Sequence, residues 1–320
     1  MSNYTPQSSW GAPPSYEASQ SSHPSNEAAR DPPPYHNWQD AVPDTATLPP
    51  PPTTGYYSSN TGNASADDAD RAHEYCDRHP LHWPVRPSMP VYTSVREHDI
   101  RPIKSSAFNG SITSPSPGRW SGSTRDRNGD CLVSTHLPLY FAAQDSPFLT
   151  ERSKTIYFEA KILRLRSGPG TGAADTSGLA VGFVAHPYPY WRSPGWERGS
   201  LGVFSDDGCR FVNDSWGGVE FTSAFRVGET IGLGMTFHLP ENASLVQEKG
   251  KQKAKVDVFL TRDGRVAGGW NLHEEVDAEA GGVEGLEGDF DLYGAVGLFG
   301  GVDFEVSFEP RSWLWKPSVM

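Results

Sequence analysis

The sequence has little cysteine and no long apolar run. Its three cysteines, Cys76, Cys131 and Cys209, lie far apart, which excludes a disulfide framework and is typical of a reducing compartment. The longest uncharged apolar stretches, residues 178–185 and 292–302, contain glycine and are too short to cross a bilayer. Neither a disulfide-stabilised secreted protein nor a protein with a transmembrane segment is therefore expected.

Basic charge is also scarce. Lysine and arginine total 27 against 39 acidic residues, the formal net charge is −12, and the first lysine is Lys104. This acidic balance argues against a nucleic-acid or anionic-membrane partner, since phosphate groups attract basic patches. The first residues, MSNYTPQSSWGAPPSYEA, carry neither the basic nor the apolar region of a signal peptide. We expect a cytoplasmic protein.

Large aliphatic residues are almost missing from the N-terminal part of the chain. Between Ser2 and Asp70 they are Val42 and Leu48 alone, whereas proline, serine, asparagine and threonine are abundant. Such a stretch cannot bury enough apolar surface to offset the conformational entropy that is lost on ordering. Residues 1–77 are therefore predicted to form a disordered tail.

Two short motifs in this tail, Pro13-Pro14-Ser15-Tyr16 and Pro32-Pro33-Pro34-Tyr35, match the pattern PPxY. WW domains bind this pattern, because adjacent prolines hold a polyproline II helix before binding and little entropy is lost on docking. Two copies on one flexible tail would also strengthen binding to a partner with several WW domains. The predicted WW-binding residues are Pro13, Pro14, Tyr16, Pro32, Pro33 and Tyr35.

A short helix is predicted next, over residues 66–78. Asp67 and Asp68 favour a helix N-terminus, and Pro80 follows the last helical residue. Beyond it, apolar residues return between many prolines, which predicts an extended arm over residues 78–118 that lies against a folded domain.

Histidine and cysteine recur every three residues in this region, at His73, Cys76, His79 and His82. A helix would present the first two on one face, but Pro80 ends the helix before the set is complete. The spacing matches no standard pairing of zinc ligands. We therefore predict a polar helix end and no metal site.

Residues 119–313 alternate between short apolar segments and glycine, proline, asparagine or aspartate, as antiparallel β-proteins do. Residues 292–299 and 302–308 are expected to form a final strand pair around Gly300-Gly301, followed by a C-terminal tail over residues 314–320. The predicted fold is an all-β antiparallel sandwich. Three predicted inward-facing sets are Ile156, Phe158, Ala160 and Ile162; Ile231, Leu233, Met235 and Phe237; and Val256, Val258 and Leu260.

Seven sequence blocks in this body appear in the order that is typical of a SPRY domain. They are YFEAKI, GLAVGF, SPGW, GSLGVFSDDGCRFVN, VGETIGLGM, VFLTRDGR and LYGAVGLFG with FEVSF. The region therefore resembles a SPRY domain, which implies a concanavalin-like jelly roll. The block HPYPYWRSPGW is most similar to fungal SPRY proteins that act as adaptors for a WW-containing HECT ubiquitin ligase in endosomal sorting.

That resemblance implies a division of labour. The PPxY motifs would recruit the ligase, and the SPRY domain would bind a protein target, so that any contact with endosomes is made through partners. In the family, ligand contacts come from loops at one end of the sandwich. The residues predicted for this surface are Tyr188, Tyr190, Trp191, Trp196, Asp206 and Trp216. For Trp196 the alternative is packing beneath the loop, and for Asp206 it is a plain hairpin turn.

Two other functions stay open at this point. One is a scaffold subunit of a ubiquitin-ligase or Ran-binding type of assembly, and the other is a carbohydrate-binding or hydrolytic sandwich protein. Hydrolysis needs carboxylates that alternate along one strand face. The acidic stretch 273–291 has Ala280 where the last acid would fall, and its glycines deny a regular strand. We expect a mobile insertion there, and no catalytic residue, metal or cofactor in the chain.

Overall fold

Two antiparallel β-sheets share one hydrophobic core. The computed structural model describes residues 65–166, 177–216, 218–240, 253–274 and 281–316. All of these residues fall in one unit, Tyr57–Met320. Both PPxY motifs, and the stretch 1–64 of the predicted disordered tail, lie outside the described residues.

Sheet A has the strand order β1-β4-β12-β6-β7-β8, and sheet B has the order β11-β10-β9-β5-β13-β3-β2. The strands of sheet A are β1 (Pro102–Lys104), β4 (Cys131–Thr135), β6 (Gly178–Ala185), β7 (Ser200–Phe204), β8 (Arg210–Val212) and β12 (Leu292–Phe299). Those of sheet B are β2 (Gly110–Ser116), β3 (Arg119–Thr124), β5 (Lys154–Arg166), β9 (Thr230–His238), β10 (Lys255–Arg262), β11 (Arg265–Asn271) and β13 (Gly301–Ser307). The helices are α1 (Ala66–Arg78), α2 (Met89–Arg96), α3 (Ala142–Asp145) and α4 (Pro147–Thr150).

The core forms from alternate residues of the central strands. Phe158 and Ile162 of β5 and Phe237 of β9 are fully buried, because a strand places every second side chain on the same face. The remaining members of the three predicted inward-facing sets are buried in the same cluster. The predicted antiparallel sandwich is therefore confirmed.

The predicted pairing of the last two strands is wrong. Although β12 and β13 are separated by Gly300 alone, β12 pairs with β4 and β6 in sheet A, while β13 pairs with β3 and β5 in sheet B. Gly300 has φ 64°, a left-handed conformation that glycine adopts without strain. The glycine pair therefore carries the chain from one sheet to the other instead of closing a hairpin.

The folded part begins earlier than the predicted boundary at residue 78. The helix α1 spans the predicted residues and buries Ala69 and Ala72. Ser65 caps its N-terminus, since the Ser65 side chain accepts a hydrogen bond from the Asp68 N–H. The predicted extended arm is also more regular than expected, since it contains α2 and contributes β1 and β2 to the two sheets. The proline-rich sequence of this segment does not reveal that β1 and β2 join the sheets, because short edge strands depend on partners that are distant in sequence.

The acidic stretch 273–291 also differs from expectation. Residues 275–280 lie outside the described residues, but the segment from Gly281 to Asp291 buries Leu286 and Phe290 in the core. The described part of the stretch is thus anchored and not a mobile insertion. The large apolar side chains, rather than the surrounding acids and glycines, decide its position.

Residues 311–316 form what we call the C-terminal strap, which lies on the outer face of sheet B. The N–H groups of Leu314 and Trp315 each donate to the Glu159 carboxylate over 2.9 Å. The Trp315 ring lies 4.7 Å from that of Tyr157. The first three residues of the predicted C-terminal tail, 314–316, therefore belong to the folded body.

Candidate ligand-binding surface

The aromatic loop between β6 and β7, residues 186–199, folds back onto the outer face of sheet A. Pro194 rests against three glycines on neighbouring strands, Gly182, Gly202 and Gly297, where an added Cβ would meet Pro194 atoms within 3 Å. Such a contact distance leaves no room for a side chain. The glycine spacing of the three strands thus creates the flat surface that holds the loop.

Tyr188 belongs to the inside of this loop. Its side chain is only 6% exposed, and its hydroxyl donates to the Ser193 carbonyl over 2.6 Å. The same oxygen accepts a hydrogen bond from the Glu197 N–H over 3.2 Å. The prediction of Tyr188 as a ligand-contacting residue therefore differs from the structure, in which its hydroxyl fixes the loop.

Trp196 also packs within the domain. Its ring stacks on the Phe204 ring, with the two centroids 5.4 Å apart. The Arg192 guanidinium carbon lies 4.5 Å from the centroid of the Trp196 ring. Arg192 in turn donates to the buried Glu197 carboxylate over 2.7 Å. Burial raises the pKa of the Glu197 carboxyl, while the Arg192 charge opposes that rise. The packing alternative for Trp196 is the better description of its ring.

The helix α1 covers the neighbouring Trp191. The indole Nε1 donates to the Asp68 carbonyl over 3.2 Å, and the Arg71 guanidinium lies 4.1 Å from the ring centroid. Tyr190, which is 44% exposed, contacts Trp191 edge-on. Of this pair, Tyr190 retains an exposed face, whereas the Trp191 ring is engaged within the chain.

Arg198 fixes the other end of α1. Its guanidinium donates to the carbonyls of Cys76 and His79 at the C-terminus of the helix, and to that of Pro187 in the loop. A cation at this position is favourable because the last carbonyls of a helix carry partial negative charge. The helix and the loop therefore form one joined surface.

A cleft of about 420 Å³ opens between this surface and the loop that follows β8. Trp196 and Trp216 both line it, together with residues of α1 and of the segment 281–284. Trp216 is 68% exposed. Its N–H donates to the Asp214 carboxylate over 2.7 Å, an Asx-type turn that presents the indole. Of the predicted surface residues, Trp216 most clearly faces solvent.

Asp206 lies elsewhere. It sits in the predicted hairpin turn between β7 and β8 and lines a separate cavity of about 20 Å³ with Asp130 and Ser193. Burial raises the pKa of the Asp130 carboxyl well above its usual range. Among the predicted surface residues, the cleft thus unites Trp196 and Trp216, but not Tyr188, Tyr190, Trp191 or Asp206.

Across the described ranges, no group of three or more histidine, cysteine or acidic side chains is arranged to hold a metal ion. Burial raises the pKa of the Cys76 thiol, which lines the cleft, to about 11, so that it stays protonated and weakly nucleophilic at neutral pH. No helix in the described part of the chain has the length and apolar character needed to cross a membrane.

Comparison with known proteins gives two sequence matches to part of this chain. No family model matches the chain. A SPRY domain-containing protein of Schizosaccharomyces pombe is 31% identical over 107 residues, which are 33% of this chain and 23% of that protein. The chain is SPRY-like. Protein SSH4 of Vanderwaltozyma polyspora is 27% identical over 93 residues, 29% of this chain and 16% of its own length.

These matches span less than a quarter of the length of either relative. Among solved structures, a human SPRY domain is 21% identical with a TM-score of 0.37, and the alignment covers 62% of this chain and 94% of that domain.

The sequence analysis did not predict the acidic residues that line the cleft. Asp77 of α1, Asp214 and Glu284 line the cleft, although they lie in three separate stretches of sequence. The run Asn213-Asp214-Ser215 before Trp216 carries turn chemistry that signals an exposed loop. No comparable signal shows that α1 folds onto the loops, because its polar composition is typical of a solvated helix.

Proposed function

We propose that this protein is a non-enzymatic adaptor. Its PPxY motifs bind the WW domains of a HECT ubiquitin ligase, and its SPRY-like sandwich binds a second protein that is thereby brought to the ligase for ubiquitination or endosomal sorting. The observation that carries the second half is the cleft that exposes Trp216, since exposed aromatic side chains on fixed loops are frequent anchors of protein interfaces.

The first half rests on the sequence of the tail. Two PPxY motifs lie within 23 residues of each other, from Pro13 to Tyr35. A ligase held at one motif would meet the other at an effective concentration of about millimolar, because the linker is short. The two motifs would therefore act together on a ligase with several WW domains.

The test of the first half uses the full-length chain and an immobilised tandem WW fragment of a HECT ligase. We expect the Tyr16→Ala/Tyr35→Ala variant to lose binding and each single variant to weaken it, because the second motif still docks. The Tyr56→Ala/Tyr57→Ala variant is a matched control, since it removes two tail tyrosines outside the motifs. Unchanged binding of the Tyr16→Ala/Tyr35→Ala variant would overturn the assignment of the motifs.

The test of the second half is affinity purification of the wild type beside the Trp216→Ala variant. We expect this substitution to remove a partner that persists in the Tyr16→Ala/Tyr35→Ala variant. Leu149→Ala is the matched control, because Leu149 is similarly exposed and belongs to α4. Loss of the same partner from both variants would argue against a role of the cleft.

A further inference from the structure

The cleft beside Trp216 is rich in negative charge. Besides Glu197, which pairs with Arg192, three carboxylates from separate segments line it: Asp77 in the last turn of α1, Asp214 after β8, and Glu284 before the buried Leu286. Within the described part of the chain, none of the three forms a salt bridge. Their charges therefore face the cleft without a salt-bridge partner among the described residues.

The nearby arginines are engaged with other groups. Arg198 lines the cleft, but its donors reach the carbonyls of Cys76, His79 and Pro187. Arg192 is buried and pairs with the buried Glu197. The cleft thus keeps a surplus of negative charge, in a chain whose formal net charge is already −12.

The exposed Trp216 indole adds a surface on which a cation can stack. A guanidinium over an indole face is attracted by the ring quadrupole, and its planar fork can at the same time bond to carboxylates. The joined surface of α1 and the aromatic loop uses this pairing within the chain, where Arg71 lies over Trp191 and Arg192 lies over Trp196. A volume of about 420 Å³ falls within the usual range for ligand clefts.

We propose that the cleft binds an arginine side chain on an extended segment of a protein partner, with Trp216 as the stacking surface and Asp77, Asp214 and Glu284 as the opposing charges. This inference rests on the proposed adaptor function and names the chemistry of the target that the sandwich selects. Arginine fits better than lysine, because only the planar guanidinium can stack on an indole and also form two parallel hydrogen bonds to a carboxylate.

The test uses the full-length chain and short peptide pools that differ in one fixed central residue. That residue is arginine, lysine, leucine or glutamate, flanked by randomised uncharged positions, and binding is measured by biolayer interferometry. We expect the arginine pool to bind most strongly, and its affinity to fall several-fold between about 50 and 300 mM salt, because exposed charges are screened. This salt series needs no variant, and a result independent of salt would overturn the proposal.

Variants of the cleft sharpen the test. Asp77→Asn/Asp214→Asn/Glu284→Gln removes three charges, while the amide at position 214 retains an acceptor for the Trp216 N–H. We expect the affinity for the arginine pool to fall about tenfold, given the usual strength of exposed ion pairs. The matched control, Glu97→Gln/Asp99→Asn/Glu151→Gln, removes three exposed carboxylates that do not line the cleft. Equal losses in both triple variants would overturn the proposal, because they would reflect net charge alone.

Trp216→Ala separates this proposal from the adaptor function. We expect it to lower the affinity for the arginine pool about fivefold or more, the size of a cation–π contact. If the leucine or glutamate pool binds best and Trp216→Ala abolishes that binding, the arginine preference is overturned while the adaptor function stands. If no pool binds and Trp216→Ala loses no partner in affinity purification, both are overturned.

Discussion

Two glutamates, each 3% exposed, lie beneath tryptophan-rich segments on the outer faces of opposite sheets. Glu197 under the aromatic loop pairs with the Arg192 guanidinium over 2.7 Å. Glu159 under the C-terminal strap instead accepts three hydrogen bonds, from the N–H groups of Leu314 and Trp315 and from the Tyr157 hydroxyl. One buried carboxylate is thus balanced by a cation and the other by neutral donors.

The difference shows how each segment is held in place. The Arg192–Glu197 ion pair is internal to the loop, and an open cleft lies beside it. The Glu159 carboxylate accepts hydrogen bonds from backbone N–H groups of the strap itself, so that the strap lies closed over sheet B. The same residue type therefore supports an open surface in one region and a closed one in the other.

The largest expected effect is that of Glu197→Gln, which removes one partner of the buried ion pair. We expect the free energy of unfolding to fall by about 3–5 kcal/mol, because Arg192 is left buried without a counter-charge. Denaturant titration measures the change through the transition midpoint. The Arg192→Met/Glu197→Met variant removes both charges and should lose less than Glu197→Gln; a larger loss would contradict the ion-pair interpretation.

Glu159→Gln tests the neutral arrangement. The amide offers one acceptor oxygen, so one backbone N–H of the strap loses its partner, and we expect a loss of about 1–3 kcal/mol in the free energy of unfolding. Hydrogen exchange of residues 311–316 should rise in the same variant, because the strap loosens. Glu305→Gln is the control, since Glu305 forms a solvent-accessible salt bridge with Arg119. Equal exchange rates in both variants would show that Glu159 does not hold the strap.

Asp291 extends the comparison to a carboxylate with neither a cation nor three donors. Burial raises its pKa from 3.8 to about 6, and its side chain accepts a hydrogen bond from the Ala142 N–H. The folded state therefore holds a proton that the unfolded state has released between pH 3.8 and about 6, so stability falls as pH rises through that range.

Asp291→Asn retains the acceptor and removes the charge. We expect a gain of about 1–2 kcal/mol at pH 7, after allowance for solvent screening at a partly exposed group, and no gain near pH 3. Thermal unfolding across this pH range measures the difference between the variant and the wild type. An equal gain at both pH values would contradict the titration of Asp291 as its cause.

The smallest expected effect on stability is that of Trp216→Ala. Because the indole is exposed, we expect the free energy of unfolding to change by no more than about 0.5 kcal/mol. Trp313→Ala in the strap should cost several times as much, since its ring packs on Tyr157 and its Nε1 donates to the Ser307 carbonyl. Similar costs for the two substitutions would remove the distinction between the open and the closed surface.

Local patterns of the sequence predict much of this fold. The alternation of Ile156, Phe158 and Ile162 identifies a strand and its buried face, since period two is a property of the backbone. Asp263-Gly264 identifies the turn between β10 and β11, where both residues have positive φ. These features depend on neighbouring residues alone.

Contacts across the chain are not visible in the same way. The two backbone donors to Glu159 come from residues 155 and 156 positions later, so the sequence around Glu159 does not indicate that the strap covers it. Tyr188 and Tyr190 look alike in an irregular loop, yet the first is buried and the second exposed. The sequence predicts that aromatic residues contribute to the ligand-binding surface. It does not predict that Asp77, Asp214 and Glu284 line the cleft beside Trp216, because these acids come together only through tertiary folding.

The crossing at Gly300 has a consequence for the order in which the chain is made. Of the strands in the described ranges, β12 and β13 are synthesised last, yet β12 joins β4 to β6 in sheet A, and β13 joins β3 to β5 in sheet B. Until β12 and β13 have left the ribosome, the β1–β4 and β2–β3 pairs lack the strands that join them to the rest of their sheets, and one edge of each pair stays open to misassembly. Both sheets therefore become continuous only once β12 and β13 have been synthesised.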